Sequence, residues 1–531
     1  MMPGPAKHVR SPLVGDIRVA PPGAEPPGEA LAGRQQEQIP MLIELNALFP
    51  GGLATVREKF FGLWDRYQHA AGGSWPEGAA AGGLSPVPPG LAFVAPGLYQ
   101  CVLSRATVQD MVNEDLRSAR ASAQPAIIFR VWPDYTLHPQ IDRSAPTVKA
   151  DAAWRSYDAR GRNVVWAVID SGIDASHPHF SALELAKEAS GMPLPEGLTT
   201  GLHRDFSFLV GPDNPQPPAP PGNISALRDL SGHGTHVAGI ISGCSPAGIK
   251  ALVAASEDPG DGGYVPRAHT GEMSGMAPAC ELVSLKVMRQ SGQGTWVTSS
   301  SAVIRALTYL RTEVNTDPGV LRVHGVNMSL GCEWQPDQYA AGQSPLCQAV
   351  NQLFASGVVV VISAGNFGAS TTLGDSADTS AVLGSITEPA HAQDSIAVGS
   401  THREAPHIFG VTWTSGKGPT LDGRVKPDVV APGEWIASAA TGEVRAEAGM
   451  EPKAGDPRPD CLLTYAEQSG TSMAAPHVSG VIAAFLSARP EFIGRPHPVK
   501  DLLTRSATDL GRERYAQGAG LVDLMRMLTN V

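Results

Sequence analysis

The sequence lacks several features that would assign it to a familiar class. Six cysteines are spread over 531 residues without any CxxC spacing, which argues against a zinc site and against a disulfide-dense secreted scaffold. No uninterrupted apolar run of about 20 residues occurs, so no membrane span is expected. The formal net charge of −11 gives no reason to expect nucleic acid or an anionic membrane as a partner.

The first 40 residues also lack the basic start and the apolar stretch of a secretory signal. We therefore expect the protein in the cytoplasm, with secretion by an unrecognised route as the alternative. Free thiols are the expected state in that compartment. Pairing of Cys332 with Cys347 across one loop is the alternative that the spacing leaves open.

The length of the chain predicts two or three domains. An apolar content of 42% with 17% charged residues is normal for a globular protein. Residues 1–37 are rich in Pro, Gly, Ala and Arg without periodicity, and a disordered tail is predicted there.

Residues 38–138 are predicted to form a small α+β module. Alternating strand and helix patterns give the order β-α-β-α-β, with a Gly-, Ala- and Pro-rich loop at 70–89. The predicted elements are strands at 41–46, 98–103 and 126–131, and helices at 55–67 and 107–121.

Residues 139–531 have a different pattern, in which short apolar strands alternate with helices. Nearly continuous apolar runs are typical of strands that are buried on both faces, so a mostly parallel sheet covered by helices on both faces is predicted. Functional residues of such folds lie at the carboxyl ends of the strands. The predicted strands are 164–169, 282–287, 325–328, 358–362 and 395–398, and the helices are 237–242, 298–312 and 348–356.

One serine stands at the start of a predicted helix, in the motif Gly-Thr-Ser-Met-Ala at 470–474. Free backbone N–H groups and the helix dipole stabilise negative charge there, so Ser472 is a candidate nucleophile. A serine hydroxyl needs a base to activate it. His233, which lies between two glycines, is the candidate base, because histidine titrates near neutrality.

Two further residues follow predicted buried strands and complete this chemistry. Asp170 would hold the imidazole in the correct tautomer and stabilise its protonated form. Asn366 would supply an amide N–H to the oxyanion of a tetrahedral intermediate.

Each of these residues also has an ordinary structural explanation. A serine at a helix start is a common N-cap, Asp-Ser-Gly is a common turn sequence, and asparagine tolerates positive φ. A buried hydrogen-bonding role is the explanation we favour for His236 and His477. The four motifs together favour the catalytic interpretation of Asp170, His233, Asn366 and Ser472.

These four motifs, in this chain order, resemble those of the subtilisin-like serine proteases, and the resemblance spans residues 139–531. It implies a serine endopeptidase with a triad of Asp170, His233 and Ser472 that acts through an acyl-enzyme intermediate. Asn366 and the Ser472 backbone N–H would form the oxyanion hole. The implied partner is a protein or peptide bound as an extended strand.

The same resemblance assigns substrate-binding positions. Ser329, Leu330 and Gly331 correspond to a strand that pairs with the substrate backbone, and Gly292 and Gly294 to the strand facing it. A further set corresponds to one wall of the S1 pocket and to an aromatic lid over S4, although packing in the core or at the rim is the explanation we favour for the lid residue. These are Ser363, Ala364 and Gly365 for the wall and Trp296 for the lid.

The sequence departs from the family pattern at the base of S1, where a glycine is frequent. Thr387 stands there and would make the pocket shallower, whereas the adjacent Glu388 would reach a basic P1 side chain. Both a small and a basic P1 preference stay open. Long loops, among them residues 244–274 and 440–467, predict restricted cleavage rather than broad degradation.

The N-terminal module resembles the propeptides of this family, which are small ferredoxin-like α+β units that chaperone the protease and block its cleft. The expected processing zone is residues 135–144. We expect no required cofactor. Calcium is an alternative at Asp213, Asn214 and Asp229, but their spacing fits no EF-hand, and solvated loop acids are the prediction.

Two other functions compete with an active endopeptidase. One is a catalytically silent scaffold that binds peptide strands in the same cleft; the intact set of four residues argues against it. The other is an enzyme that its own N-terminal module holds latent until a partner or signal releases it.

Overall fold

The structure is a computed structural model, and the residues it describes are 38–68, 87–95, 97–133, 144–183, 185, 201–210, 224–247, 251–256, 264–269, 271–317, 319–332, 340–372, 378–449 and 463–531. The chain divides into unit 1, Met1–Leu137, and unit 2, His138–Val531. Several expectations concern segments outside the described residues: the tail at 1–37, most of the loop at 70–89, nearly all of the processing zone at 135–144, and Asp213 and Asn214.

Unit 1 contains a four-stranded antiparallel sheet of order β2-β3-β1-β4. With helices after β1 and β3, this order is the ferredoxin-like arrangement that was predicted. Strand β2 was not predicted; it forms a hairpin with β3. The elements are β1 (Gln38–Leu45), α1 (Gly52–Trp64), β2 (Leu91–Ala95), β3 (Leu98–Ser104), α2 (Arg105–Ser122) and β4 (Ile128–Pro133).

The core of unit 1 follows from the side-chain periods of its elements. Met41, Ile43 and Leu45 are buried at every second position of β1, as expected for a strand with one covered face. Phe60 and Trp64 are buried one helical turn apart on α1. These side chains belong to one apolar cluster.

Unit 2 is larger, and its strands and helices alternate along much of the chain. Short 3₁₀ helices cover Pro178–Leu183, Ser207–Leu209, Ile224–Leu227 and Pro490–Phe492, and a π-helical turn covers Leu310–Val314. The other elements are α3 (Ser144–Thr147), α4 (Ala150–Tyr157), β5 (Val165–Asp170), β6 (Arg204–Asp205), α5 (His233–Ile241), β7 (Leu252–Ser256), β8 (Tyr264–Ala268), β9 (Glu281–Lys286), β10 (Arg289–Gln290), β11 (Trp296–Val297), α6 (Ser300–Tyr309), β12 (Gly325–Met328), α7 (Pro345–Ala355), β13 (Val359–Ser363), β14 (Ala369–Thr372), β15 (Asp378–Ala381), β16 (Ile396–His402), α8 (Pro406–Phe409), β17 (Val429–Glu434), β18 (Ile436–Ala439), α9 (Gly442–Glu447), β19 (Leu463–Gln468), α10 (Thr471–Ala488), α11 (Pro496–Ser506), α12 (Arg514–Gln517) and α13 (Leu524–Thr529).

The main sheet of unit 2 has seven strands in the order β17-β16-β13-β12-β5-β9-β6, and every neighbouring pair is parallel. Alternate residues of β5 enter different cores: Trp166 and Val168 belong to one apolar cluster, and Ala167 and Ile169 to the other. Helices α6 and α7 cover one face and α5 and α10 the other. The predicted helix-covered parallel sheet is confirmed; β6 and β17 are additional strands.

Helix α10 is the central helix of one core. It packs against β16, β17 and α5. Its 18 residues would suit a membrane span by length and mean hydropathy, and it is the one such helix in the described part of the chain. Because 83% of that stretch is buried inside the protein, its apolar composition is accounted for by the core.

Candidate active site

The predicted catalytic residues lie where the parallel strands end and two helices begin. Asp170 is the last residue of β5, and Asn366 follows β13 by three residues. His233 is the first residue of α5, and Ser472 is the second residue of α10. This edge of a parallel sheet is where functional side chains converge.

Asp170 and His233 are joined directly. The Nδ1–H group of His233 donates to Asp170 Oδ1 at 2.8 Å, which leaves Nε2 as the basic nitrogen. The Asp170 side chain is fully buried, whereas 27% of the His233 side chain is exposed. Within the residues that the structure describes, Asp170 Oδ2 is buried without a hydrogen-bond partner. When His233 is protonated, its positive charge lies beside this buried carboxylate and stabilises the negative charge there.

The pKa of His233 is set by opposing effects. Burial lowers it, but the charge of Asp170 and the hydrogen bond to it, with a further contribution from the charge of Asp229, raise the pKa above the ordinary value of 6.5. The imidazole is thus a stronger base than a free histidine side chain.

The start of α5 requires glycine on both sides of the histidine. A Cβ atom on Gly234 would lie 2.2 Å from the carbonyl oxygen of Gly172, so no other residue fits between this helix and the end of β5. Gly232 has a φ of 89°, a conformation that side-chain-bearing residues rarely adopt.

A second buried carboxylate, Asp229, organises the same turn. Its Oδ1 accepts from Ser171 Oγ and the Gly232 N–H, both at 2.9 Å, and its Oδ2 accepts from the N–H and hydroxyl of Thr235 at 2.8 and 2.7 Å. The Ser171 hydroxyl also accepts from the Gly234 N–H at 2.9 Å. The residue is 5% exposed, so the predicted solvated loop acid is wrong for Asp229.

Asp229 thereby ties the end of β5 to the start of α5. Four donors offset the desolvation of its charge, although burial still raises its pKa. In the described part of the chain, no group of three or more His, Cys, Asp or Glu residues is placed to hold a metal ion. The burial of Asp229 is therefore explained by the hydrogen bonds that it accepts from the protein's own donors.

Ser472 is fixed through its backbone and through the neighbouring strand end. Ser329 Oγ donates to the Ser472 carbonyl oxygen at 2.8 Å, and Ser472 Oγ lies 3.4 Å from the Ser329 carbonyl oxygen. Asn327 Nδ2 donates to Ser329 Oγ at 2.9 Å, and Ser479 Oγ donates to Asn327 Oδ1 at 2.8 Å. This chain of polar contacts links β12 to α10.

Thr471 orients the side-chain amide of Asn366. Its N–H and its hydroxyl both donate to Asn366 Oδ1, at 2.9 and 3.0 Å. The same hydroxyl accepts from the Gly365 N–H at 3.1 Å. With Oδ1 occupied by two donors, Nδ2 is the end of the amide that remains to donate, and it lies beside Gly470.

The two other motif histidines are buried and hydrogen-bonded to the backbone. His236 Nε2 lies 3.0 Å from the Ala466 carbonyl oxygen, and burial lowers its pKa to about 3. His477 contacts the Met473 carbonyl oxygen at 2.8 Å and the Ser144 hydroxyl at 2.7 Å. Burial lowers the pKa of His477 to about 4, so both rings are neutral structural groups.

Thr387 lies between the two glycines that were assigned to the substrate-binding walls. A Cβ atom on Gly331 would lie 2.6 Å from Thr387 Oγ1, and one on Gly365 would lie 2.5 Å from Thr387 Cγ2. Thr387 is 3% exposed. Ser363 and Ala364 are buried at the end of β13, and Ser329 and Leu330 at the end of β12. The threonine therefore occupies the space between the walls.

Glu388 is directed elsewhere. It is buried, and Cys347 Sγ donates to its Oε1 at 3.4 Å. Its backbone exchanges two hydrogen bonds of 2.9 Å with Cys332. Cys332 and Cys347 are both free thiols, so the alternative of a disulfide between them is wrong.

Strands β10 and β11 form a ribbon whose tip carries Gly292 and Gly294. Among the residues that the structure describes, no atom other than those of the chain neighbours lies within 4 Å of a Cβ placed on either glycine, so one face of the tip is open to them. Trp296 is half-buried on β11, and its indole N–H donates to Glu443 Oε2 at 2.7 Å. Gln290 Nε2 donates to Glu443 Oε1, also at 2.7 Å.

Sequence reasoning did not identify Asp229, Thr471 and Glu443 as parts of the site. Thr471 lies inside a recognised motif, and Asp229 stands shortly before a helix whose first N–H groups need acceptors, a signal that could have marked it. Glu443 has no local signal, because its partners are 147 and 153 residues away in the sequence.

The substitution Asp229→Asn is expected to lower the pKa of His233, because it removes a nearby negative charge. It also replaces one acceptor oxygen by a donor facing other donors, which should destabilise unit 2 by about 2–3 kcal/mol. Proton NMR titration of the His233 ring and urea unfolding measure the two effects. Asp205→Asn is a matched control, since Asp205 also accepts from serine hydroxyls; an unchanged His233 pKa in Asp229→Asn would contradict the assignment.

Comparison with known proteins agrees with this geometry. The sequence profile of the subtilase family matches residues 161–521. Subtilisin DY of Bacillus licheniformis is 27% identical over 379 residues, which cover 71% of this chain and 95% of that protein. Subtilisin E of Bacillus subtilis (strain 168) is 29% identical over 423 residues, which cover 79% and 78%. The chain belongs to the subtilase family of serine endopeptidases, which hydrolyse peptide bonds through an Asp-His-Ser triad.

Proposed function

We propose that Asp170, His233 and Ser472 are the triad of this endopeptidase and that Asn366 stabilises its oxyanion. The observation that carries the proposal is the 2.8 Å hydrogen bond from His233 to buried Asp170, at the sheet edge where α10 presents Ser472. His233 takes the proton of the Ser472 hydroxyl as it attacks the scissile carbonyl.

The tetrahedral intermediate develops a negative oxygen near the start of α10. Asn366 Nδ2 and the Ser472 N–H donate to it, and Thr471 keeps the amide turned in the productive direction. His233 then protonates the leaving amine, and water, activated by the same imidazole, hydrolyses the acyl-enzyme. In this mechanism His233 transfers each proton, and N–H groups of the chain stabilise the negative charge. We therefore propose that catalysis requires no cofactor.

The substrate is proposed to bind as an extended strand. Ser329, Leu330 and Gly331 would pair with it on one side, and the ribbon tip with Gly292 and Gly294 on the other. The open face of the tip supports this assignment, because glycine leaves the backbone accessible.

We also propose a small P1 residue, such as alanine, glycine or serine. Thr387 fills the space between Gly331 and Gly365, and a larger P1 side chain would have to displace it. Glu388 is buried against Cys347, so a carboxylate for a basic P1 residue has no support. Restricted cleavage follows from this filled pocket.

The N-terminal unit is proposed to act as a propeptide that binds the cleft and is removed by self-processing. Its ferredoxin-like order and its place directly before the peptidase unit support this role. We further propose a cytoplasmic location, supported by the five free cysteines of the described residues. Fractionation of the native cells, followed by immunoblotting, tests the location; recovery from the medium alone would contradict it.

The catalytic assignment predicts that Ser472→Ala abolishes peptide hydrolysis. A loss of about 10⁶-fold is expected, for which subtilisin itself is the reference case. Purified wild-type chain should migrate as clipped fragments, and Ser472→Ala should stay intact. Hydrolysis of a peptide by Ser472→Ala at the wild-type rate would refute the mechanism, and an intact wild type that also lacks activity would favour a latent enzyme.

The pocket assignment predicts that Thr387→Gly broadens specificity. Removing the threonine side chain opens space between the walls, so kcat/KM for a P1 phenylalanine should rise by about tenfold or more relative to a P1 alanine. Peptides that differ only at P1 provide the measurement. Thr387→Ser keeps the hydroxyl and most of the volume, and it should retain the preference for alanine. Equal discrimination by Thr387→Gly and wild type would contradict the proposal.

A further inference from the structure

Helix α9 bridges two parts of the active site that are far apart in sequence. On one side, the Glu443 carboxylate accepts from Trp296 Nε1 and Gln290 Nε2, one donor on each oxygen and each at 2.7 Å. Gln290 and Trp296 are cross-strand partners in the ribbon of β10 and β11. One carboxylate therefore holds both strands of the ribbon.

The same contact extends to the tip of the ribbon. Gln290 Nε2 also donates to the Gly294 carbonyl oxygen at 3.1 Å, and the Ser291 N–H donates to the Thr295 carbonyl oxygen at 2.8 Å. The position of the tip thus depends on a side chain that Glu443 orients. Hydrogen bonds to an ionised acceptor are the stronger kind.

On its other side, α9 is fixed to the segment directly before His233. The Glu443 N–H donates to the Leu230 carbonyl oxygen at 3.0 Å, and the Val444 N–H to that of Ser231 at 3.1 Å. A Cβ atom on Gly232 would lie 2.0 Å from the Thr441 carbonyl oxygen. The beginning of α9 is therefore in close backbone contact with the turn that presents the catalytic base.

Helix α9 is also held by a small core of its own. Ala440, Val444 and Ala448 are buried together with Ala254 and Ala466 of the neighbouring four-stranded sheet. Because this apolar contact holds the helix in place, Glu443 is presented from a fixed backbone rather than from a free loop.

We infer that Glu443 is a specificity-determining residue. It fixes the ribbon and the Trp296 side chain relative to His233. It thereby sets how the enzyme recognises substrate residues that lie several positions N-terminal to the scissile bond. This inference rests on the proposed pairing of the ribbon with substrate. Glu443 contacts no reacting atom in the proposed mechanism, so its effect is on the binding of longer substrates and grows with the number of residues that reach the ribbon.

The test compares two substrates with the same P1 alanine, a P1-only ester and a peptide that extends to P4. In Glu443→Gln the amide nitrogen faces a donor, and an indole N–H cannot act as an acceptor. We expect the ratio of kcat/KM between the long and the short substrate to fall by about tenfold, mainly through KM. Glu447→Gln, an exposed change on the same helix, is the control and should keep the wild-type ratio.

A double-mutant cycle with Trp296→Phe assigns the effect to the Glu443–Trp296 contact, because phenylalanine keeps an aromatic ring and lacks the N–H. If the contact acts as inferred, Glu443→Gln should change the ratio much less in the Trp296→Phe background. Fully additive effects, or an unchanged ratio in Glu443→Gln, would overturn the inference.

A separate experiment distinguishes failure of the proposed triad from failure of the role of Glu443. A fluorophosphonate probe that reacts with an activated serine should label the wild type and not Ser472→Ala. An unlabelled wild type that leaves the P1-only ester intact would refute the triad assignment. A labelled, active wild type with an unchanged substrate ratio in Glu443→Gln would refute only the role of Glu443.

Discussion

Two carboxylates are buried where β5 meets α5, and the donors they need determine the local backbone. Asp229 is surrounded by two backbone N–H groups and two hydroxyls, while Asp170 receives the Ser171 N–H and the His233 ring. A buried charge without such donors costs several kcal/mol. The turn before α5 therefore has little freedom, and the position of His233 is a consequence of satisfying these acceptors.

The side-chain amide of Asn366, which is proposed to stabilise the oxyanion, is also held by hydrogen bonds, but here all the partners are neutral. Asn366 and Thr471 are 105 residues apart in the sequence, and they are brought together because β13 and α10 pack in the same core. One threonine hydroxyl then serves as donor to the amide and as acceptor for the Gly365 N–H. The amide orientation is thus fixed without any charge, and it depends on the packing of a largely apolar helix.

How much of this could be foreseen depends on whether the signal is local. Five strands of the main sheet (β5, β9, β12, β13 and β16) are continuous apolar runs and were predicted in position, whereas β6 and β17 were not. The four catalytic motifs are short and local, so they could be recognised in the sequence, and the structure brings Asp170 and His233 within hydrogen-bond distance. Asp229 was taken for a solvated acid, because its sequence neighbours read as a loop and its partner Ser171 is 58 residues away. Strand β2 is a short apolar run that was missed because Pro and Gly residues flank it on both sides, which is typical of a loop; in the structure it pairs with β3. Whether Glu388 faces a basic P1 side chain could not be decided from the sequence, because its contact with Cys347 joins residues 41 positions apart.

The residues proposed to set specificity, Thr387 and Glu443, lie outside the hydrogen-bond network that fixes Asp170 and His233. Thr387 lies between two walls whose backbones are fixed by β12 and β13, so its side chain can change while the walls stay in place. Helix α9 lies within the long segment between β18 and β19, outside the seven-stranded sheet, yet its backbone contacts the turn before His233. Variation in this segment can reach the ribbon of β10 and β11 through a single carboxylate, because each strand of the ribbon has only two residues and Glu443 accepts a hydrogen bond from both strands. A ribbon this short is positioned partly by contacts outside itself, and the two hydrogen bonds to Glu443 are contacts of this kind.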